Sequence, residues 1–325
     1  MPQRPRLTPP VANARRAIRV AFSNPELTET KKVLLAVSGG PDSIALANAC
    51  AFELPKLGIE IHAAIIDHDL QSGSAEVALK AQQTLESLAI KARVVRIKVT
   101  KRGEGLEAAA RTARYSALEK VRLELGADLI LLGHNQDDQA ESVLLGLTRG
   151  SGLKSIAGMK VLDGHYLRPL LEISKADLRQ ACLDAGLEFW DDPHNLDDAF
   201  TRVKIRRLLN DLDQDLGPGL QAALARTAEL ASEADEVICA EAEKLLAIAQ
   251  TSRGLSTSLL ADALAATRRK ALLIWLQRAG AKTPSRAQVL AVEGLITNWH
   301  GQKPLKLSGI TVERVAQELV TTKSR

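Results

Sequence analysis

Lys31-Lys32-Val33-Leu34-Leu35-Ala36-Val37-Ser38-Gly39-Gly40-Pro41-Asp42-Ser43 is the stretch on which the fold turns. Residues 31–37 read as a short buried strand, the glycine-rich turn follows, and a helical pattern runs on to about residue 57. In a strand-turn-helix unit, backbone N–H groups of the turn and the positive helix end converge where an anion can sit. Gly39 and Gly40 let the backbone approach a phosphate closely, and Ser38 and Ser43 add hydroxyl donors. Asp42 is out of place as a direct phosphate ligand and suits a magnesium ion or a ribose hydroxyl. The same residues make good turns and helix caps. Their position between an apolar strand and a helix favours the anion site. Neither G-x-x-x-x-G-K-[ST] nor a G-x-G-x-x-G after a predicted strand occurs, so this is not the common nucleotide loop.

Working outward, residues 61–66, 93–99 and 129–133 are further apolar, partly β-branched runs, separated by helix-length segments at 75–88 and 106–125. The alternation predicts a doubly wound parallel sheet flanked by helices, with ligands at the carboxyl ends of its strands. After Asp192-Pro193-His194-Asn195 the strand signal gives way to helical periodicity. Gly217-Pro218-Gly219 punctuates the chain, and a long Ala/Glu-rich helix follows. The expected organisation is a catalytic domain over residues 1–215, a linker helix over 216–250, and a smaller helical, α+β domain over 251–325. In that last part helices are expected at 263–278 and 284–299, and short strands at 304–307, 310–315 and 318–321.

The second group of chemical residues is His134-Asn135-Gln136-Asp137-Asp138-Gln139-Ala140-Glu141, directly after the strand that ends at Gly133. Positions 134, 137, 138 and 141 fall at i, i+3, i+4 and i+7, so a helix would put all four on one face. Carboxylates crowded in this way repel unless a cation sits among them. Magnesium, held by few carboxylates and by nucleotide phosphates, meets that need. Acidic residues also stabilise helix N-termini through the macrodipole, but that does not explain why the row begins where a parallel strand ends.

Composition narrows the classes. Of 325 residues 46% are hydrophobic and 25% charged, with no apolar run approaching the roughly 20 residues of a membrane span. The arginine-rich first twenty residues do not resemble a secretory signal, and a cytoplasmic address is expected. Cys50, Cys182 and Cys239 form no C-x-x-C pair, which argues against a disulfide framework, a zinc ribbon or a sulfur relay. His62 is expected to pack in its strand, and His165, His194 and His300 share no metal-ligand spacing. Net charge is +4, yet residues 253–306 hold nine Lys/Arg against Asp262 and Glu293, a local +7, so the remainder is −3. A basic region of this kind, with Arg268, Arg269 and Lys270 at its densest point, suits a polyanion partner or a solvated helix face.

S-G-G-x-D-S resembles the pyrophosphate loop (PP-loop) of ATP pyrophosphatases, which have a Rossmann-like fold and release pyrophosphate and AMP. His134-x-x-Asp137-Asp138-x-x-Glu141, continued by Leu147-Thr148-Arg149-Gly150-Ser151-Gly152, resembles the tRNA(Ile)-lysidine synthetase family in particular. Ser142 stands where that family has threonine. Further matches are Glu107-Ala108-Ala109-Ala110-Arg111 with Arg114-Tyr115, Arg168-Pro169-Leu170-Leu171, and Asp192-Pro193-His194-Asn195 with Phe200, Arg202, Ile205 and Arg206. At Asp67-His68-Asp69-Leu70-Gln71 the sequence departs from the family's D-H-G-L-R. With the arginine goes the basis for expecting a substrate contact there.

The resemblance implies a ligase using ATP and Mg2+ as cofactors. It acts in two steps: the C2 oxygen of the wobble cytidine 34 of a tRNA(Ile) with a CAU anticodon attacks the α-phosphate of ATP, and free L-lysine then displaces AMP. The product, lysidine, changes codon reading from AUG to AUA. It implies ATP contacts from residues 38–43, Arg111, Gly133 and His134, and magnesium on Asp42 and Asp138. Asp42, Asp137, Asp138 and Glu141 would carry the chemistry, with Asp138 or Glu141 as proton acceptor. The cluster Arg202, Lys204, Arg206 and Arg207 suits RNA phosphates or the lysine carboxylate, and the basic C-terminal part suits tRNA. A homodimer is compatible with the resemblance. A tRNA thiolase, an amidating ligase, or a non-catalytic nucleotide- or RNA-binding α/β protein are the other readings; the last leaves the carboxylate row unexplained.

Overall fold

The computed structural model describes residues 7–67, 74–97, 106–150, 152–192 and 201–323. Asp69, Gln71, Ser151, Pro193, His194, Asn195 and Phe200, which carried parts of the sequence reading, lie outside the described residues. The chain forms two compact units, residues 1–150 with 158–228, and residues 151–157 with 229–325.

The first unit runs through α1 (Pro9–Ala21), β1 (Lys32–Val37), α2 (Pro41–Glu53), β2 (Glu60–Asp67), α3 (Ser74–Ser87), β3 (Lys91–Arg96), α4 (Leu106–Leu125), β4 (Leu129–Leu132) and α5 (Gln136–Arg149). After α6 (Leu153–Ile156), which clusters with the second unit, come β5 (Leu162–Asp163), β6 (Tyr166–Leu167), α7 (Lys175–Asp184) and α8 (Thr201–Leu216). The sheet order is β3-β2-β1-β4-β6-β5, parallel throughout except for β5, which turns back antiparallel on β6. β1 is apolar and buried from Val33 to Val37 because both faces are covered there. Val33, Leu35 and Val37 pack in the core shared with α1, α2, α3 and α7, while Leu34 and Ala36 pack with Leu118 and Val121 of α4.

This topology makes the site. β1 pairs with β2 on one side and with β4 on the other, Val33 opposite Leu129 through Ala36 opposite Leu132. The chain therefore leaves β1 at Ser38 and β4 at Gly133 side by side, at the crevice where a doubly wound sheet binds ligands. Gly133 is required by that proximity: a Cβ there would lie 3.1 Å from the Asp42 carbonyl oxygen and 3.2 Å from Ser43 Cα.

α9 (Leu220–Ala249) contains the division between the units. Beyond it are β7 (Leu255–Ser256), α10 (Thr257–Asp262), α11 (Ala265–Arg278), α12 (Arg286–Thr297), β8 (Leu305–Leu307), β9 (Ile310–Val315) and β10 (Glu318–Lys323). The four strands form an antiparallel sheet, order β7-β10-β9-β8. Its core joins Leu245 and Leu246 of α9 to Leu272 and Leu276 of α11, Val292 and Leu295 of α12, and Ile310, Val312 and Leu319 of the sheet. No helix among the described residues is long and apolar enough to cross a membrane.

Candidate active site

The turn after β1 is ordered by its own hydroxyls. The Ser43 hydroxyl donates to the Gly40 carbonyl at 2.9 Å and accepts from the Ser38 N–H at 3.3 Å; the Gly40 N–H turns toward Ser38 Oγ at 3.5 Å. Gly39 sits at φ +86°, open to glycine at little cost, and a Cβ there would press on Ala81 at 3.3 Å. Gly40 is the N-cap of α2 with Pro41 inside the first turn, and no side chain caps this helix. The positive helix end is thus left for an anion.

Asp42 closes this cradle. Burial, and then the neighbouring Asp138 charge, push its carboxyl up to about 6, against Lys175 and the Asn135 side chain, which favour the anion. Its Oδ1 is buried with no hydrogen-bond partner. A buried carboxylate oxygen without a partner is costly, and a hard cation is the ligand that oxygen donors suit. Among the described residues no three His, Cys, Asp or Glu side chains stand in metal-holding geometry. A magnesium ion on Asp42 and Asp138 would complete its shell with phosphate and water oxygens, and the residues fit an ion held that way.

The second group is arranged differently from a single helical row. α5 begins at Gln136, and Asn135, 1% exposed, is its N-cap, so His134 precedes the helix. Asn135 and Asp138 form a capping box: Asn135 Oδ1 accepts from the Asp138 N–H at 3.0 Å, and Asp138 Oδ2 accepts from the Asn135 N–H at 3.1 Å. Asp137 Oδ1 accepts from the Lys175 N–H at 3.0 Å, tying α5 to the start of α7. The Ser142 hydroxyl donates to the Asp138 carbonyl at 2.9 Å. Of the row, Glu141 projects most clearly into the fold: it is 1% exposed, its Oε1 accepts from Arg206 Nε and NH2 at 2.7 Å each, and its Oε2 is buried without a partner. Burial raises the carboxyls of Asp138 and Glu141, against the pull of arginines including Arg206 and Arg202.

Cations from two other helices join them. Burial, followed by the charges of Arg168, Arg114, Arg111 and Arg202, lowers the His134 imidazole to about 3, so it is neutral near pH 7. Arg111 donates to the Tyr115 hydroxyl at 3.2 Å, and burial lowers Arg114 below the ordinary arginine range. The site therefore assembles the 38–43 loop, Arg111, Gly133, His134, Asp137, Asp138, Glu141, Arg202 and Arg206. Sequence reasoning gave no site role to three residues: Asn135, whose N-x-x-D spacing before a helical run was a readable capping signal; Lys175, whose backbone carries the contact; and Trp190, which reads from the sequence as a core residue and whose backbone N–H donates to the Gly39 carbonyl at 2.9 Å.

Arg268, Arg269 and Lys270 are not among them; they lie in the second unit and are engaged by their own fold. Arg268 donates to Glu293 Oε1 at 2.9 Å and to the Ala263 carbonyl at 2.7 Å, and is 9% exposed. Arg269 donates to Glu293 Oε2 at 2.7 Å, and Lys270 to both Asp235 oxygens at 2.8 and 3.0 Å. An internal charge network holds all three. Lys282, Arg286, Lys303 and Lys306 are exposed, with no acidic partner among the described residues.

Comparison with known proteins finds matches in both units. Residues 11–212 match the PP-loop domain family, and residues 255–320 match the TilS substrate binding domain. A tRNA(Ile)-lysidine synthase of Leifsonia xyli is 45% identical over 289 residues, 87% of each chain. One of Rhodococcus erythropolis is 42% identical over 310 residues, 94% of this chain and 92% of that one. Among solved structures, the U34-tRNA thiolase NcsA from Methanococcus maripaludis shares the fold, with a TM-score of 0.58 at 18% identity, over 69% of this chain and 80% of that one.

Proposed function

The chain belongs to the tRNA(Ile)-lysidine synthase family, ATP-dependent ligases built on the PP-loop domain, and from that premise we propose how its residues divide the work of joining free L-lysine to the wobble cytidine. The observation that carries the proposal is a pair of buried carboxylate oxygens without partners, Asp42 Oδ1 and Glu141 Oε2. Each belongs to a carboxyl raised first by burial and then by the charge of Asp138, at Glu141 against the pull of Arg206. One fits a cation beside phosphates; the other fits an amine.

In this reading the 38–43 loop and the start of α2 hold the β- and γ-phosphates of ATP, and Arg111 and Arg114 supply charge beside them. The C2 oxygen of cytidine attacks the α-phosphorus and pyrophosphate leaves; stabilising the departing charge with preorganised donors is the largest contribution such a site can make. A magnesium ion on Asp42 and Asp138 supplies neutralisation of the phosphate charge when bound. The lysine amine then attacks C2, the bond to the AMP oxygen breaks, and the proton lost by the amine passes to Glu141 Oε2, whose raised affinity suits a base. Arg202 holds the lysine carboxylate. His134, kept neutral, acts through hydrogen bonds and not through charge. The basic face of the second unit meets the tRNA backbone, and the substrates put the reaction in the cytoplasm.

A thiolase reading lacks support in the thiols. Cys50 is buried and its thiol pushed up by burial; Cys182 is pushed up to about 12 and donates to the Pro41 carbonyl. Incubation with radiolabelled ATP, lysine and bulk tRNA tests the proposal. AMP and pyrophosphate should appear in equal amounts, dependent on tRNA, and label from lysine should enter the tRNA. Stoichiometric ADP would sink it.

A further inference from the structure

The segment from Leu187 to Asp191 meets the PP-loop through one backbone hydrogen bond, from the Trp190 N–H to the Gly39 carbonyl at 2.9 Å. That bond does more than tether. A trans peptide holds its C=O and N–H on opposite sides of one plane, so fixing the Gly39 carbonyl outward turns the Gly40 N–H inward, toward Ser38 Oγ at 3.5 Å. Gly39 has no Cβ to choose between the two orientations of this peptide, and both are sterically open to it. Within the turn only the long 3.5 Å contact to Ser38 Oγ favours the observed orientation; the shorter bond, from the Trp190 N–H at 2.9 Å, comes from outside it.

Packing holds the segment only in part: Leu187 and Phe189 rest partly buried against the core of the first unit. A cavity of about 380 Å³ lies against the segment, lined by Gly39, Val77, Ala81, Leu187, Phe189 and Trp190 among others. Arg179 of α7 adds a grip on both sides of Trp190. Its NH1 and NH2 donate to Asp191 Oδ1 and Oδ2 at 2.6 and 2.9 Å, and its guanidinium lies over the Phe189 ring, 4.8 Å from the centroid. The residues before and after Trp190 are thus held by one side chain. Thr84 Oγ1, which donates to the Lys80 carbonyl at 3.1 Å, also lies 3.5 Å from the Glu188 carbonyl. Exposed ion pairs usually contribute little, but a bidentate fork with ring stacking is the favourable geometry for one.

We propose that Arg179 is a positioning residue for the PP-loop: by clamping Phe189 and Asp191 it fixes the Trp190–Gly39 hydrogen bond and so aims the Gly40 N–H at the nucleotide phosphates. This rests on the reading of residues 38–43 as the ATP phosphate site. Arg179 touches no substrate, so its effect is confined to the nucleotide.

Four variants and a direct binding measurement test it. In Arg179→Ala, the ATP dissociation constant by calorimetry and the ATP KM should rise roughly 3- to 10-fold, the range for one misaimed donor. The KM values for tRNA and lysine, kcat at saturating ATP and the melting temperature should stay near wild type. Arg179→Lys should recover part of the ATP affinity, keeping the charge and losing the fork. Trp190→Ala and Trp190→Pro both lose the indole, but only the proline lacks the N–H; an added loss of ATP affinity in the proline variant supports the proposal. Unchanged ATP affinity in Arg179→Ala, equal losses for all three substrates, or a lysine variant no better than alanine would overturn it. Wild-type enzyme that binds no ATP would instead overturn the phosphate-site reading, and the inference with it.

Discussion

Asp42 and Asp138 share a charge problem but not a structural duty. Asp42 makes no cap, whereas Asp138 closes the capping box with Asn135. Asp42→Asn should therefore keep the wild-type melting temperature and lose turnover by orders of magnitude. Asp138→Ala should lose turnover and also about 1 kcal/mol of stability, the usual cost of a cap; thermal melts beside initial rates separate the two. His134 gives a pH signature. Its imidazole titrates near 6.5 in the unfolded chain and at about 3 in the fold, so below 6.5 the unfolded state binds the extra proton. Stability is full above that pH and falls as pH drops toward 3. His134→Asn removes the penalty: relative to wild type it should gain up to about 2 kcal/mol between pH 8 and pH 5 in denaturant titrations. A constant difference across that range would mean the imidazole is not held neutral. At this scale the sequence shows the chemistry but not its partners. S-G-G-x-D-S and the D-D pair are local patterns, while Glu141 with Arg206 joins residues far apart in the chain, and spacing carries no such information.

The element that most constrains the site is the seam between the end of β4 and the start of α2. A side chain at Gly133 must displace the Asp42 backbone, 3.1 Å from where its Cβ would sit. Gly133→Ala should cost roughly 1–3 kcal/mol, the range for overpacking, and should raise the ATP KM, because the group displaced is the phosphate loop itself. An alanine variant with wild-type KM would show that the seam opens away from the loop. The parallel core elements were legible because both faces of β1 are buried and its residues are continuously apolar. The boundaries expected for α4 and for the three C-terminal strands lie within two residues of those observed. α1, the β5–β6 hairpin and α7 were not foreseen. α1 hides its apolar stripe, Val11, Ala14 and Ile18, among five arginines of the first twenty residues, and two-residue strands are too short to show a period.

At the scale of the molecule, charge is divided unevenly: +7 over residues 253–306 on a chain of +4. Burial and pairing decide which of those cations can meet phosphate. Arg268, Arg269 and Lys270 changed together to Ala should lower the melting temperature of the second unit, because Glu293 is left buried without its partners. Lys282, Arg286, Lys303 and Lys306 changed together should leave that temperature alone and flatten the dependence of log tRNA affinity on log salt by roughly 3 to 4 if all four meet phosphate. Loss of affinity should be alike for all tRNAs, since backbone contacts position without specifying. An unchanged slope would assign these four to solvent. Composition could locate the basic region but not sort it, because the sorting depends on where Glu293 and Asp235 fall in the folded chain.

Cys182, whose thiol donates to the Pro41 carbonyl from beneath the loop, makes the enzyme its own stopwatch. A thiol reagent can reach this buried sulfur only when the packing around it opens, and its bond to Pro41 links that opening to the start of α2, so the labelling rate counts local openings. Nucleotide that binds the closed loop and not the open one must slow that count in proportion to its occupancy. Bound ATP should then lengthen the labelling half-life at Cys182, while the half-buried Cys239 of the second unit keeps its own pace, and the two rates together would time the breathing of the phosphate loop without any added probe.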